Sequence, residues 1–73
     1  MELNRIQVVL DEKGKTQVWL AEKLGVRQAT VNDFCRNKSQ PSIKRLNEIA
    51  KILGVSTYVL IGDYAPINEE LKE

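Results

Sequence analysis

An all-α fold of five short helices is what this sequence predicts, on three observations. Apolar residues recur at three- and four-residue spacings in successive windows, the pattern of helices that each bury one face. These windows end at Gly14, Gly25, Asn37 and Gly54, and glycine and asparagine are the residues that most readily take the left-handed conformation in which helices terminate. Finally, 73 residues with 42% hydrophobic content and one cysteine can build only one core and no disulfide. Helices joined by short loops bury such a core at the least entropic cost.

The elements come in this order. A first helix is expected over about residues 3–12, with Leu3, Ile6, Val9 and Leu10 on one apolar face and Gly14 ending it. Thr16 reads as the N-cap of a second helix that runs to about Lys23 and turns Leu20 and Leu24 inward. A third helix starts near Arg27 or Gln28 and ends near Arg36. Asn37 comes next as a left-handed residue, and 37–40 is a polar loop. Pro41 opens a fourth helix, where its missing N–H costs nothing; Ile43, Leu46, Ile49, Ala50 and Leu53 form the buried stripe, and Gly54 closes it. Ser56 caps a short fifth helix carrying Val59, Leu60 and Ile61. Residues 1–62 thus form the domain, and 63–73 a short acidic C-terminal tail.

The run 17–36, QVWLAEKLGVRQATVNDFCR, has the positional pattern of a helix-turn-helix built from the second and third helices. Leu20, Leu24, Val26, Val31 and Phe34 fall where two crossed helices bury side chains, and small Ala21 falls where they approach closest. Gly25 sits at the turn. Gln28, Asn32 and Arg36 recur every four residues, a polar stripe opposite Val31 and Phe34. Such a stripe suits a DNA groove: Gln and Asn match the N6 and N7 edge of adenine, Arg27 can pair with guanine or hold phosphate, and Ala29 leaves room for a thymine methyl. In isolation the same stripe would read as a solvated face. The surrounding pattern favours DNA.

Charge is uneven along the chain. Net charge is zero over residues 1–26, +4 over 27–54 and −3 over 55–73, so positive charge gathers in the third helix, the loop after it and the fourth helix, as contact with a polyanion requires. Histidine is absent and Cys35 is the one cysteine, which leaves neither the usual general base nor a metal-ligand cluster. Asp11 with Glu12 and Glu69 with Glu70 are sequence neighbours that point in different directions on a helix and read as solvated charge. There is no glycine-rich phosphate loop. These features argue against an enzyme, and no cofactor, metal or small-molecule ligand is expected. Cys35 reads as a small buried hydrophobe. With no apolar stretch long enough for a signal peptide or membrane span, the expected location is the cytoplasm.

Four blocks of the sequence resemble the phage-repressor or Xre type of helix-turn-helix domain. They are T-Q-x-x-L-A-x-x-L-G-V at 16–26, A-T-V at 29–31, P-S-I-K-R-L-N-E-I-A-K-I-L-G-V-S at 41–56 and V-L-I at 59–61. The resemblance covers most of the chain, residues 3–61, and implies a compact five-helix lambda-repressor-like domain with the third helix in the DNA major groove. Carried over by position, Arg27, Gln28, Ala29, Asn32 and Asp33 would face bases or their flanks. Gln17 would bond the DNA backbone, and Arg36, Lys38, Lys44 and Arg45 belong with it among the phosphate-binding residues. In this family the end of the domain often lies near a two-fold axis, so a weak homodimer contact is expected through Tyr58, Val59, Leu60, Ile61 and Tyr64.

Several positions depart from the family pattern. Many relatives pair an arginine on the first helix with a glutamate ending the third; here those positions are Leu10 and Cys35. Replacing both members of a buried pair with apolar groups avoids a stranded charge, so Leu10 is expected to pack near Cys35. Arg27 stands where a capping Ser or Thr is common, Asn37 where glycine is usual, and Trp19 where relatives are polar; partial burial is expected for Trp19. The leading functional reading is a sequence-specific, DNA-binding transcriptional regulator, a repressor by family likeness. The alternative is a protein-interaction module on the same scaffold, such as an antitoxin or a bridging adaptor, because fold alone does not separate the two.

Overall fold

Four α-helices and a closing 3-10 turn make up the computed structural model, which describes residues 3–61. The helices are α1 (Ile6–Lys13), α2 (Gln17–Leu24), α3 (Gln28–Cys35) and α4 (Ile43–Leu53), and the turn spans Thr57–Leu60. Ile6, Leu10, Leu20, Val31, Ile49 and Leu60 are wholly shielded from solvent, so each element contributes at least one residue to a single core. Burying a side chain of this size stabilises by about 1.5–3 kcal/mol. α2 packs on both α3 and α4, while α1 spans α3, α4 and the closing turn.

Local chemistry sets the boundaries. Thr16 Oγ1 accepts the Trp19 N–H at 3.0 Å, capping α2 as its residue type predicts. α2 ends at Gly25, whose φ of 74° is left-handed; the Gly25 and Val26 N–H groups return to the Ala21 carbonyl at 2.9 and 3.1 Å. That turn redirects the chain into α3. Asn37, with φ 59°, is the one non-glycine residue at positive φ among those described. Its N–H reaches Phe34 O at 3.0 Å while Lys38 N–H reaches Asp33 O at 2.9 Å, the two-bond closure of a left-handed helix end.

Several expectations need correction. α1 starts at Ile6 instead of residue 3, and Leu3 is 55% exposed instead of sharing the apolar face. Asn4 Oδ1 takes the Ile6 N–H at 3.0 Å and Arg5 N–H bonds Leu60 O at 2.8 Å, so the chain before Ile6 is bridged to Ile61 instead of entering the helix. A short polar side chain that bonds a nearby backbone N–H competes with helix at that position. α4 is opened by Ser42, whose Oγ accepts the Arg45 N–H at 3.1 Å, with Pro41 one residue further out. Ile43 is consequently in the first turn and 73% exposed; the buried stripe begins at Leu46. The fifth element is a 3-10 turn, held by Val59 N–H to Ser56 O and Ile61 N–H to Tyr58 O, both 3.1 Å, and Ser56 makes no side-chain cap. Four residues including β-branched Thr57 and Val59 favour this tighter, shorter geometry over an α-helix.

Candidate nucleic-acid interface

α3 buries Val31 and Phe34, and that burial decides what its other face offers. Arg27 is the extended N-cap, with φ −72° and ψ 148° and no side-chain cap bond, as its lack of a short oxygen-bearing side chain requires. Arg27, Gln28 and Ala29 are exposed, Asn32 and Asp33 are half-buried beside them, and Arg36 is exposed at the C-cap. The start of α3 therefore carries a guanidinium, a carboxamide and a methyl in consecutive exposed positions. Donor, acceptor and apolar contact are the three chemistries that base edges in the major groove present.

The remaining basic candidates separate by environment. Lys38 and Lys44 are exposed. Arg45 is half-buried and its Nη1 meets Glu48 Oε1 at 2.9 Å, so part of its charge is balanced within α4. Lys44, Arg45, Ser42 and Glu48 line a shallow concavity of about 140 Å³ at the start of α4.

Gln17 does not stand alone. Its Nε2 donates to Gln7 Oε1 at 2.6 Å, and its Oε1 accepts from Asn32 Nδ2 at 3.1 Å. Gln7 Nε2 in turn donates to Asp11 Oδ1 at 2.9 Å. The structure thus brings two expected site residues, Gln17 and Asn32, into contact and adds Gln7 and Asp11 behind them. Neither of these was singled out from sequence for such a role. Their one signal was spacing: a carboxamide and a carboxylate four residues apart on a helix are within reach of each other.

A second polar cluster holds the other end of α3. Asn4 is only 4% exposed; its Nδ2 donates to Phe34 O at 2.9 Å and to Gln40 Oε1 at 2.8 Å. Asn37 Oδ1 accepts from the N–H groups of Leu3 at 2.7 Å and Asn4 at 2.9 Å and from Gln40 Nε2 at 3.2 Å. Asn37 Nδ2 returns a bond to Asn4 O at 3.3 Å. The segment before α1 is thereby clasped to the C-terminal end of α3. No buried side-chain polar atom lacks a partner among the described residues.

Leu10 is wholly buried. Cys35 is half-buried instead of fully enclosed, lying against the same core. Burial, and secondarily the charge of Asp11, push the Cys35 thiol up from its ordinary 9.0 to about 11. Trp19 is half-buried, with Lys15 Nζ 4.9 Å and Lys23 Nζ 5.9 Å from its ring centre. Of the residues expected at a dimer contact, Tyr58 is 50% and Val59 37% exposed. Leu60 is fully buried in the core instead, and Ile61 is half-buried in its bridge to Asn4. Tyr64 and the acidic tail 63–73 lie outside the described residues.

Known proteins resemble this chain in sequence and fold. The helix-turn-helix family model matches residues 6–60. The chain is 33% identical, over 69 residues, to the immunity repressor protein of Bacillus phage phi105; the match covers 94% of the chain and 48% of the repressor. The chain thus spans about half the length of that relative. Two solved structures are similar. One is the crystal structure of a protein of Bacteroides fragilis provisionally assigned to DNA binding, with TM-score 0.82 and 48% identity over 85% of this chain and 100% of that one. The other is the N-terminal DNA-binding domain of SinR from Bacillus subtilis, with TM-score 0.64 and 37% identity over 73% of this chain and 78% of that one.

Proposed function

The chain belongs to the helix-turn-helix family whose model spans residues 6–60, and from that premise we propose that it is a sequence-specific DNA-binding transcriptional regulator acting as a repressor. α2 and α3 form its helix-turn-helix, and α3 enters the major groove. The observation that carries this reading is the exposed run of Arg27, Gln28 and Ala29 at the start of a helix whose opposite face, Val31 and Phe34, is buried. Gln28 reads an adenine edge, Ala29 meets a thymine methyl, and Arg27 pairs with guanine or an adjacent phosphate. Asn32 and Asp33 flank them. Gln17, Arg36, Lys38, Lys44 and Arg45 hold the sugar-phosphate backbone, setting register without reading sequence. The likeness to the phage repressor and to the SinR DNA-binding domain supports the class of function.

The work is binding, not catalysis, and its place is the cytoplasm, where Cys35 stays reduced. One reading helix contacts too few base pairs to select a site in a genome. Two copies on a two-fold site, with reading helices about 34 Å apart, supply the rest, through a weak contact that uses the exposed Tyr58 and Val59. Selection of bound sequences from a random duplex pool tests the reading. A recovered palindrome supports both DNA recognition and two-fold assembly. Equal, weak binding to every duplex would instead favour the protein-interaction module.

A further inference from the structure

We propose that Gln7 of α1 is a positioning residue for DNA recognition: anchored on Asp11, it fixes the orientation of the Gln17 carboxamide and, through it, that of Asn32 on α3. This role rests on the DNA-binding function already proposed and deepens it.

Donor and acceptor polarity sets the direction of the row. The Asp11 carboxylate only accepts hydrogen bonds, so Gln7 must face it with Nε2, as the 2.9 Å contact shows. Gln7 then has Oε1 left for Gln17. Gln17 must answer with Nε2, at 2.6 Å, and its own Oε1 is left to accept from Asn32 Nδ2 at 3.1 Å. One acceptor-only group at the end of the row thus dictates which way three planar amides lie. Each amide, taken alone, has two orientations related by a half-turn that differ only in the partners they find.

The consequence lies at the DNA-facing end. An amide N carries two N–H groups; one from Gln17 and one from Asn32 are spent within the row, and planarity fixes the direction of the second. Gln17 is left with one directed N–H, suited to a phosphate oxygen. Asn32 keeps one N–H and its Oδ1, a donor and an acceptor of the kinds that adenine N7 and N6 require. A half-turn of Asn32 would set acceptor against acceptor at Gln17, and a half-turn of Gln17 would set acceptor against acceptor at Gln7 and donor against donor at Asn32.

Burial indicates that orientation, and not stability, is what the row supplies. Asp11 is exposed, and Gln7, Gln17 and Asn32 are half-buried, so water can replace any of these bonds in the free protein at little cost. The row also runs from α1 to α3. It is therefore a directional link between those helices, distinct from the Asn4 clasp at the far end of α3.

Gln7→Met keeps the length and helix preference of the side chain and removes its hydrogen bonds. In the free protein the side-chain amide resonances of Gln17 and Asn32 should move while the melting midpoint holds. Affinity for the duplex recovered by selection should fall roughly three- to tenfold, the worth of a lost hydrogen bond. Gln7→Met added to Gln17→Ala should have no further effect on binding, since its influence passes through Gln17. Asp11→Ala, at an exposed site, should move the same resonances and weaken binding in the same direction. Unmoved amide resonances, or a Gln7→Met effect that simply adds to that of Gln17→Ala, would overturn the positioning role alone. Wild-type protein that prefers no duplex, with the amide resonances still responding, would overturn the DNA reading and the role of Gln7 in it.

Discussion

Replacing Asn4 by alanine tests the clasp that holds the C-terminal end of α3. Asn4 is 4% exposed, and its side chain makes three hydrogen bonds: to Phe34 O at 2.9 Å, to Gln40 Oε1 at 2.8 Å, and from Ile6 N–H at 3.0 Å. Truncation at Cβ removes all three. At about 0.5–1.5 kcal/mol each, with the Ile6 N–H stripped of its partner at a buried site and the Phe34 carbonyl left to the Asn37 N–H alone, the loss comes to about 2–4 kcal/mol. A chain of 73 residues has roughly 4–11 kcal/mol of total stability, so one side chain at the edge of the core would account for a large share. The corresponding fall in Tm is on the order of 10–25 °C. Urea and thermal melts of wild type, Asn4→Ala and Asn4→Asp give the values. Asn4→Asp keeps the acceptor for Ile6 N–H but cannot donate to Phe34 O, and its charge faces that carbonyl; it should be no more stable than Asn4→Ala. A loss under about 0.5 kcal/mol for Asn4→Ala, or an Asn4→Asp variant as stable as wild type, would refute the clasp.

The same geometry sets three further outcomes. Leu10→Arg buries an unpaired charge at a fully shielded site and should cost about 3 kcal/mol or more; adding Cys35→Glu should recover part of it, limited by repulsion from Asp11, and strict additivity in denaturant melts would show that the two positions do not meet. Gln28→Ala, at an exposed position, should cost roughly 1–3 kcal/mol at the preferred duplex and relax one base position with the salt slope unchanged, whereas Lys44→Ala should weaken all duplexes alike and lower the slope by about one unit; identical behaviour of the two variants in salt titrations would remove the distinction between reading and holding. The Cys35 thiol, raised from 9.0 to about 11 by burial and by Asp11, should alkylate at pH 8 roughly a hundredfold more slowly than a free thiol, because only thiolate reacts. Since the folded value lies above the unfolded one, its contribution to stability is intact below pH 9 and declines between about pH 9 and 11; iodoacetamide rates equal to those of the unfolded chain would contradict the shift.

Periodicity and punctuation along the chain determine most of this protein's architecture. The i, i+3, i+4 spacing of Ile6, Val9 and Leu10, and of Leu46, Ile49, Ala50 and Leu53, has one physical solution, a helix buried along that stripe. Gly25 and Asn37 stand where the chain must pass through positive φ, a requirement of local sterics that a sequence displays directly. The exposure of Arg27, Gln28 and Ala29 likewise comes from the burial of Val31 and Phe34. Tertiary structure decided what depends on partners distant in the chain. Asn4 reads as an ordinary polar residue until Phe34, Asn37 and Gln40, thirty or more positions away, close around it. The start of α1 moved for the same reason. Gln7 and Asp11 look like solvated side chains on α1, and only the fold that brings Gln7 within reach of Gln17 on α2 turns them into the end of a row that reaches Asn32. Leu60 and Val59 are neighbours with the same apolar character, yet one is sealed in the core and the other is 37% exposed, a choice made by the 3-10 geometry of four residues. Hydrophobic pattern is a local property and survives in the sequence; the polarity of a hydrogen-bond row and the depth of a single residue belong to the assembled fold, because each is set by which groups the fold brings within about 3 Å.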